Sequence, residues 1–140
     1  MIPASAFRVM IVDDKSMMRS LTHRALEHLG FRQIFAAASA IEALPLARSN
    51  RVHLIISDYN MPLMNGLQFL ETVRKDEVLG KCAFIMLSGS GNGETMRQAA
   101  ALGANSYIIK PFAMAELRQR VDQALSSVTG TRTEMRALQS

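Results

Sequence analysis

Apolar positions along the chain fall into short dense runs separated by longer stretches in which they recur every three or four residues. Five runs stand out: FRVMIV (7–12), QIFAAA (33–38), VHLIIS (52–57), AFIMLS (83–88) and SYIIK (106–110). Several are apolar at consecutive positions, the pattern of strands covered by helices on both faces. After the first run, Met18, Leu21, Ala25 and Leu29 form a helical stripe that stops at Gly30, a natural left-handed helix end. Met114, Leu117, Val121, Leu125 and Val128 repeat that spacing after the last run. Residues 40–48, 66–75 and 94–102 supply three more helices, with Asn65 a cap for the second of these and Gly103 a stop for the third. The alternation predicts an α/β fold, (βα)5 and doubly wound, whose five-stranded parallel sheet is the middle layer of a three-layer sandwich.

The stretch SSVTGTRTEMRALQS (126–140) leaves this rhythm. Gly130 breaks the last helix, so the domain is set at 1–128 and residues 129–140 become a C-terminal tail. That tail is expected to be mobile or to form a short extra helix, since Thr131 and Glu134 have capping-box spacing ahead of Met135, Ala137 and Leu138.

Composition narrows the class. A chain of 140 residues with 49% hydrophobic and 20% charged residues is globular, and no apolar run approaches the roughly 18 residues of a membrane span. The opening MIPASAF lacks the pattern of a signal peptide, and one cysteine, Cys82, allows no internal disulfide; both fit a cytoplasmic protein. The net charge of +4 rests on arginines that are scattered: Arg8, Arg19, Arg24, Arg32, Arg48, Arg51, Arg74 and Arg97. They are read as solvated surface, which leaves no nucleic-acid site. His23, His28 and His53 stand apart from any metal spacing and are assigned to the surface, and Cys82 to packing. The ten methionines are mostly core filler, although Met61 and Met64 stand where they could line an approach to a site.

Ligand sites of open parallel sheets lie beyond the carboxyl ends of the strands. Here the first run ends in Asp13 and Asp14, the third in Asp58, the fourth in Ser88 and the fifth in Lys110 before Pro111. Carboxylates gathered on one rim repel one another unless a cation compensates, and Mg2+ suits one or two carboxylates plus phosphate oxygens. Asp58 is then a nucleophile for a phosphoryl group, with Ser88 donating to one phosphoryl oxygen and Lys110 neutralising another.

With VDDKSMMR (12–19), SDYNMPLMNG (57–66), LSG (87–89) and IIKPF (108–112), the chain resembles a response-regulator receiver domain of the CheY-like kind from about Phe7 to Val128. The resemblance implies the flavodoxin-like strand order 2-1-3-4-5, which the hydrophobic pattern alone does not supply. It implies Asp58 as phosphoacceptor, with Asp13, Asp14, Asp58 and the main-chain carbonyl of Asn60 as ligands of Mg2+. Lys110 becomes the phosphoryl-binding lysine, followed by a cis peptide. Ser88 and Tyr107 become the switch pair, the aromatic ring swinging inward as the hydroxyl moves, with the readout on the face of the fourth helix, fifth strand and fifth helix. Asn60 and Ser90 border the path of attacking water, and Lys15 is read as solvated.

The glycines of IMLSGSGNGET (85–95) do not mark a nucleotide loop, because position 94 is Glu94 where either phosphate-binding motif needs glycine. Gly89 leaves room beside Ser88, and Gly91 and Gly93 loosen a loop that has to move. The implied role is a stand-alone response regulator of two-component signalling, not an enzyme on other substrates. A histidine kinase or histidine phosphotransfer protein supplies phosphate, and a downstream protein target reads it. Chemotaxis signalling to a flagellar motor is favoured over a relay, with the protein a monomer or a phosphorylation-dependent dimer and no nucleic acid or membrane involved. The rival from another class, a small Mg2+-dependent phosphohydrolase, generally needs a second acid two residues after the nucleophile, where this chain has Asn60.

Overall fold

The computed structural model describes residues 1–137. Five strands, β2 (Arg8–Val12), β3 (Gln33–Ala37), β4 (Leu54–Asp58), β5 (Ala83–Ser88) and β6 (Ser106–Ile109), form one parallel sheet in the order β3-β2-β4-β5-β6. This is the 2-1-3-4-5 order once a two-residue strand at the N-terminus, β1 (Ile2–Pro3), is set aside. Every residue of β4 and β5 is buried, as their unbroken apolar runs require, whereas β3 and β6 at the edges are half-exposed.

The pleat sorts the strands into two cores. Val9, Ile11, Leu54, Ile56, Ile85 and Leu87 face α1 (Ser16–Leu29) and α5 (Met114–Thr129). Met10, Val12, Ile55, Phe84 and Met86 face α2 (Ala40–Asn50), α3 (Gly66–Lys75) and α4 (Gly93–Ala101). The doubly wound, three-layer expectation therefore holds. The cap at Asn65 is a full capping box with Gln68, their reciprocal bonds both 2.9 Å.

The stripe read for α5 is buried at Leu117, Val121 and Leu125, whereas that of α1 is shifted toward Thr22 and Leu26. On α1 the buried residues are Thr22, Ala25, Leu26 and Leu29, while Leu21 is 51% exposed. Val128, at the end of α5, is 42% exposed.

The tail also differs from its expectation. Gly130, at φ 78°, ends α5 in the left-handed region and turns the chain back. Instead of a helix, the strand β7 (Thr133–Glu134) then pairs in parallel with β1. The Thr133 N–H donates to Asp122 Oδ1 at 2.8 Å, Ile2 N–H to the Arg132 carbonyl at 3.0 Å, and Arg136 N–H to the Leu29 carbonyl at 2.8 Å. The Thr131 N–H that a capping box would need is taken by Thr129 Oγ1 at 3.3 Å. Residues 129–137 thus clasp the N-terminus to the body; Leu138 lies outside the described residues.

Candidate functional site at the carboxyl rim of the sheet

The winding reverses between β2 and β4: the chain runs from β2 to β3 on one side and then crosses from β3 to β4 on the other. Asp13 leaves the end of β2 there and Asp58 closes β4 beside it, and both are buried. The Asp13 N–H donates to the Ala37 carbonyl at 3.1 Å and its Oδ1 accepts the Lys15 N–H at 2.9 Å, which fixes the carboxylate over the rim. Asp58 is held from behind by a close backbone approach at Gly66, whose N–H donates to the Tyr59 carbonyl at 2.8 Å. A Cβ on Gly66 would lie 2.7 Å from the Asp58 carbonyl and 2.6 Å from Met86 Sδ, so no larger residue fits this packing. Lys110 follows β6, tied by its N–H to the Ser88 carbonyl at 2.7 Å, and the Lys110–Pro111 peptide is cis.

One ligand oxygen from each of Asp13, Asp14 and Asp58 falls within 4.8 Å of the others. Lys110 Nζ lies 3.1 Å from Asp58 Oδ1 and 3.8 Å from Asp13 Oδ2. Lys15 Nζ lies 3.4 Å from Asp14 Oδ1 and 3.5 Å from Asp58 Oδ2. Two of the buried carboxylate oxygens, Asp13 Oδ2 and Asp58 Oδ2, accept no hydrogen bond. Two unsatisfied hard oxygens, from Asp13 and Asp58, beside a third carboxylate are the donor set of a small divalent cation, so the residues fit Mg2+. Burial pushes the Asp13 carboxyl above its ordinary value; the Lys15 N–H opposes this, Asp58 adds to it, and the two ammonium groups oppose it. For Lys15, partial desolvation pulls downward but the Asp58, Asp14 and Asp13 charges outweigh it, and the net direction is upward.

Ser88 ends β5 with 6% exposure, its Oγ accepting the Ser90 N–H at 3.2 Å. Tyr107, on β6, is half-buried and donates its hydroxyl to the Ser90 carbonyl at 3.3 Å. A Cβ on Gly89 would meet nothing within 4 Å, so the space beside Ser88 is open. Asn60 is exposed in the loop after β4.

A family model described as the response regulator receiver domain matches residues 9–122. The chain belongs to this family. The receiver is 36% identical over 125 residues to a probable chemotaxis protein CheY of Rhizobium etli, covering 89% of this chain and 97% of that one. It is 32% identical over 123 residues to the chemotaxis protein CheY of Pseudomonas aeruginosa, covering 88% and 99%. Among solved structures it is similar to chemotaxis protein CheY4 of Vibrio cholerae, with TM-score 0.79 and 30% identity over 84% of this chain and 98% of that one. A CheY-like receiver domain protein of Methanospirillum hungatei gives TM-score 0.80 at 27% identity, covering 89% and 97%.

In this receiver Asp13, Asp14, Asp58 and Lys110 converge as their places at strand ends foretold, with Ser88 one strand along the rim from Asp58. Other readings are corrected. Lys15 is not merely solvated, since its ammonium lies between Asp14 and Asp58. His53 is half-buried rather than at the surface: its Nδ1 accepts the Arg8 N–H at 2.9 Å and its ring meets Phe7 edge-on at 5.5 Å. Met61 packs in the core and does not line an approach.

The arginines are not all solvated either. Arg19 donates to the Asp13 carbonyl at 2.8 Å, and Arg8 to the Asn50 carbonyl at 2.7 Å. Arg74 forks onto the carbonyls of Gly103, Gly80 and Cys82. No side-chain pattern signals such contacts, because their acceptors are backbone atoms. Cys82 is a packing residue as expected, its thiol pushed up to about 11 chiefly by burial.

Proposed function

We propose that this receiver is a phosphorylation-controlled switch of two-component signalling, with Asp58 its phosphoacceptor. One observation carries the reading: Lys110 Nζ stands 3.1 Å from a buried Asp58 whose second oxygen accepts no hydrogen bond. That carboxylate is positioned and charge-compensated but not consumed by the fold. A carboxylate oxygen of Asp58 attacks the phosphorus of a phosphohistidine on a histidine kinase or phosphotransfer protein. The new P–O bond forms as the P–N bond breaks, and the imidazole leaves with its electron pair. Lys110 neutralises charge that builds on the phosphoryl oxygens, and the open space beside Ser88 admits the donor. The residues that would hold Mg2+ are Asp13, Asp14, Asp58 and the Asn60 carbonyl; the bound ion supplies positive charge to the transferring phosphoryl group.

Ser88 then turns its hydroxyl to the phosphoryl group and gives up the Ser90 N–H, which frees the Ser90 carbonyl from its place over Tyr107. The face of α4, β6 and α5 changes in consequence and alters the affinity of a protein partner. The phosphoryl group is finally lost to water, so the protein catalyses only its own modification. The similarity to chemotaxis proteins named CheY favours a partner in motility control, and a lone partly buried cysteine suits the cytoplasm. Among the described residues no helix is long and apolar enough to cross a membrane.

Intact-protein mass after brief incubation with acetyl phosphate and Mg2+ tests the reading. A gain of about 80 Da, one phosphoryl group, is expected in the wild type and absent from Asp58→Ala. An equal gain in Asp58→Ala would overturn the assignment of Asp58.

A further inference from the structure

We propose that Lys15 is a built-in competitor for the divalent cation, a tethered ammonium that has to leave the acidic rim before the metal can enter. The inference rests on reading Asp13, Asp14 and Asp58 as a Mg2+ site, and it goes on to assign what regulates entry. Lys110 and Lys15 approach Asp58 from different sides. Lys110 takes Oδ1 at 3.1 Å, whereas Lys15 lies 3.5 Å from Oδ2, one of the two buried oxygens without a hydrogen bond. The same Lys15 ammonium lies 3.4 Å from Asp14 Oδ1. It therefore bridges two of the three carboxylates that would ligate the ion, one of them through an oxygen that a cation needs free. A divalent ion at 2.0–2.1 Å from such oxygens and an ammonium at hydrogen-bonding range cannot share them without strong repulsion.

The two lysines also differ in their freedom to yield. Lys110 is 13% exposed and anchored by its main chain to Ser88, so it stays. Lys15 is 57% exposed at the entrance to α1, and its side chain can swing into solvent with little loss of packing. Displacement of Lys15 is thus the low-cost rearrangement on metal entry, and its ion pairs are subtracted from the metal's affinity. The main-chain N–H of Lys15 stays on Asp13 Oδ1 throughout, so replacing the side chain leaves the rim backbone in place.

Calorimetric titration of Mg2+ alone into the wild type, Lys15→Met and Lys15→Arg tests this. Lys15→Met is expected to bind Mg2+ about fivefold more tightly or better, since two partly exposed ion pairs together approach the 1.4 kcal/mol of a tenfold change. Lys15→Arg, which keeps the charge, is expected near the wild type. Thermal unfolding supplies a second readout: Lys15→Met should melt below the wild type without metal and at or above it in saturating Mg2+. Equal or weaker binding by Lys15→Met overturns the competitor role while leaving the metal site standing. Absence of Mg2+ binding in all three proteins overturns the site and the competitor together.

Discussion

Ser88 and Tyr107 are joined through a single residue: the Ser90 N–H donates to Ser88 Oγ at 3.2 Å, and the Ser90 carbonyl accepts the Tyr107 hydroxyl at 3.3 Å. The two side chains need not touch to be coupled, because moving Ser88 Oγ turns the peptide before Ser90, and the rotation about Ser90 Cα displaces the carbonyl that holds Tyr107. Ser88→Ala is expected to take up phosphate, as read by mass, yet to lose most of the phosphorylation-dependent shift of the Tyr107 ring resonances. A full Tyr107 response in Ser88→Ala would break the proposed linkage.

The loop that carries Ser90 is the glycine-rich one. A Cβ on Gly91 would sit 3.0 Å from Ile109 Cδ1, so Ala at 91 presses the loop against β6. Replacing Gly91 and Gly93 together by Ala is expected to slow or weaken the Tyr107 response, measured by the same resonances, without lowering the extent of phosphorylation. An unaltered response would show that loop freedom is irrelevant to the switch.

Gly66 controls the other side of the rim. An added methyl would collide with the Asp58 carbonyl, Tyr59 Cα and Met86 Sδ, all below 3.0 Å, and two of these are backbone atoms that have little room to yield. Gly66→Ala should cost about 2–3 kcal/mol, the range of core overpacking, and displace Asp58 enough to slow phosphorylation beyond the loss of folded protein. Urea unfolding together with the phosphorylation rate per folded molecule checks both effects. A stable variant with normal uptake would mean that α3 can shift freely away from β4.

How much of this could be read beforehand depended on whether the signal lay in side chains at ends of elements. Asp13, Asp58, Ser88 and Lys110 were legible because each terminates an apolar run, and parallel strands place all such termini on one rim. The facing stripe of α1 was not, since Leu21 and Thr22 are adjacent and periodicity alone does not say that the hydroxyl of Thr22 turns inward while Leu21 stays in water. The pairing of β1 with β7 was hidden for a different reason: two residues have no period, and their partner lies at the opposite end of the chain. The Ser90 link and the Arg74 fork use main-chain atoms, which every residue carries. Lys15 sits beside Asp14 in sequence, but its approach to Asp58 spans 43 positions and appears only when β2 and β4 pair.

Arg74 ties together elements that the strands alone do not. Its guanidinium donates to the Gly103 carbonyl at 2.7 and 3.1 Å, to the Cys82 carbonyl at 2.6 Å and to Asn105 Oδ1 at 3.0 Å, while that same Oδ1 accepts the Phe84 N–H at 2.8 Å. A lysine is long enough to reach one of these carbonyls but lacks the planar fork that serves several. Arg74→Lys should cost about 2 kcal/mol in urea unfolding, leaving charge-assisted acceptors without partners. A cost near zero would mean that water replaces the fork.

His53 gives stability a pH dependence of known sign. Its Nδ1 accepts the Arg8 N–H at 2.9 Å, which only an unprotonated nitrogen can do, and the Arg8 guanidinium lies 3.4 Å from Nε2. Burial first, and the Arg8 charge second, lower its pKa from the ordinary 6.5. A group depressed in the fold contributes stability that is present above 6.5, where His53 is neutral in both states, and lost as pH falls through the folded value, because the unfolded chain takes up the proton first. His53→Asn keeps an acceptor near the same place and removes the titration, although it forfeits the edge-on contact with Phe7. In urea unfolding the wild type should exceed His53→Asn at pH 8 by about 1 kcal/mol, the scale of one aromatic contact, and the gap should narrow at pH 5. Asp13, whose carboxyl is raised chiefly by burial, is present in both proteins and cancels from the difference. A gap that stays constant or widens toward pH 5 would show that protonated His53 is accommodated, with its ring turned away from the Arg8 N–H.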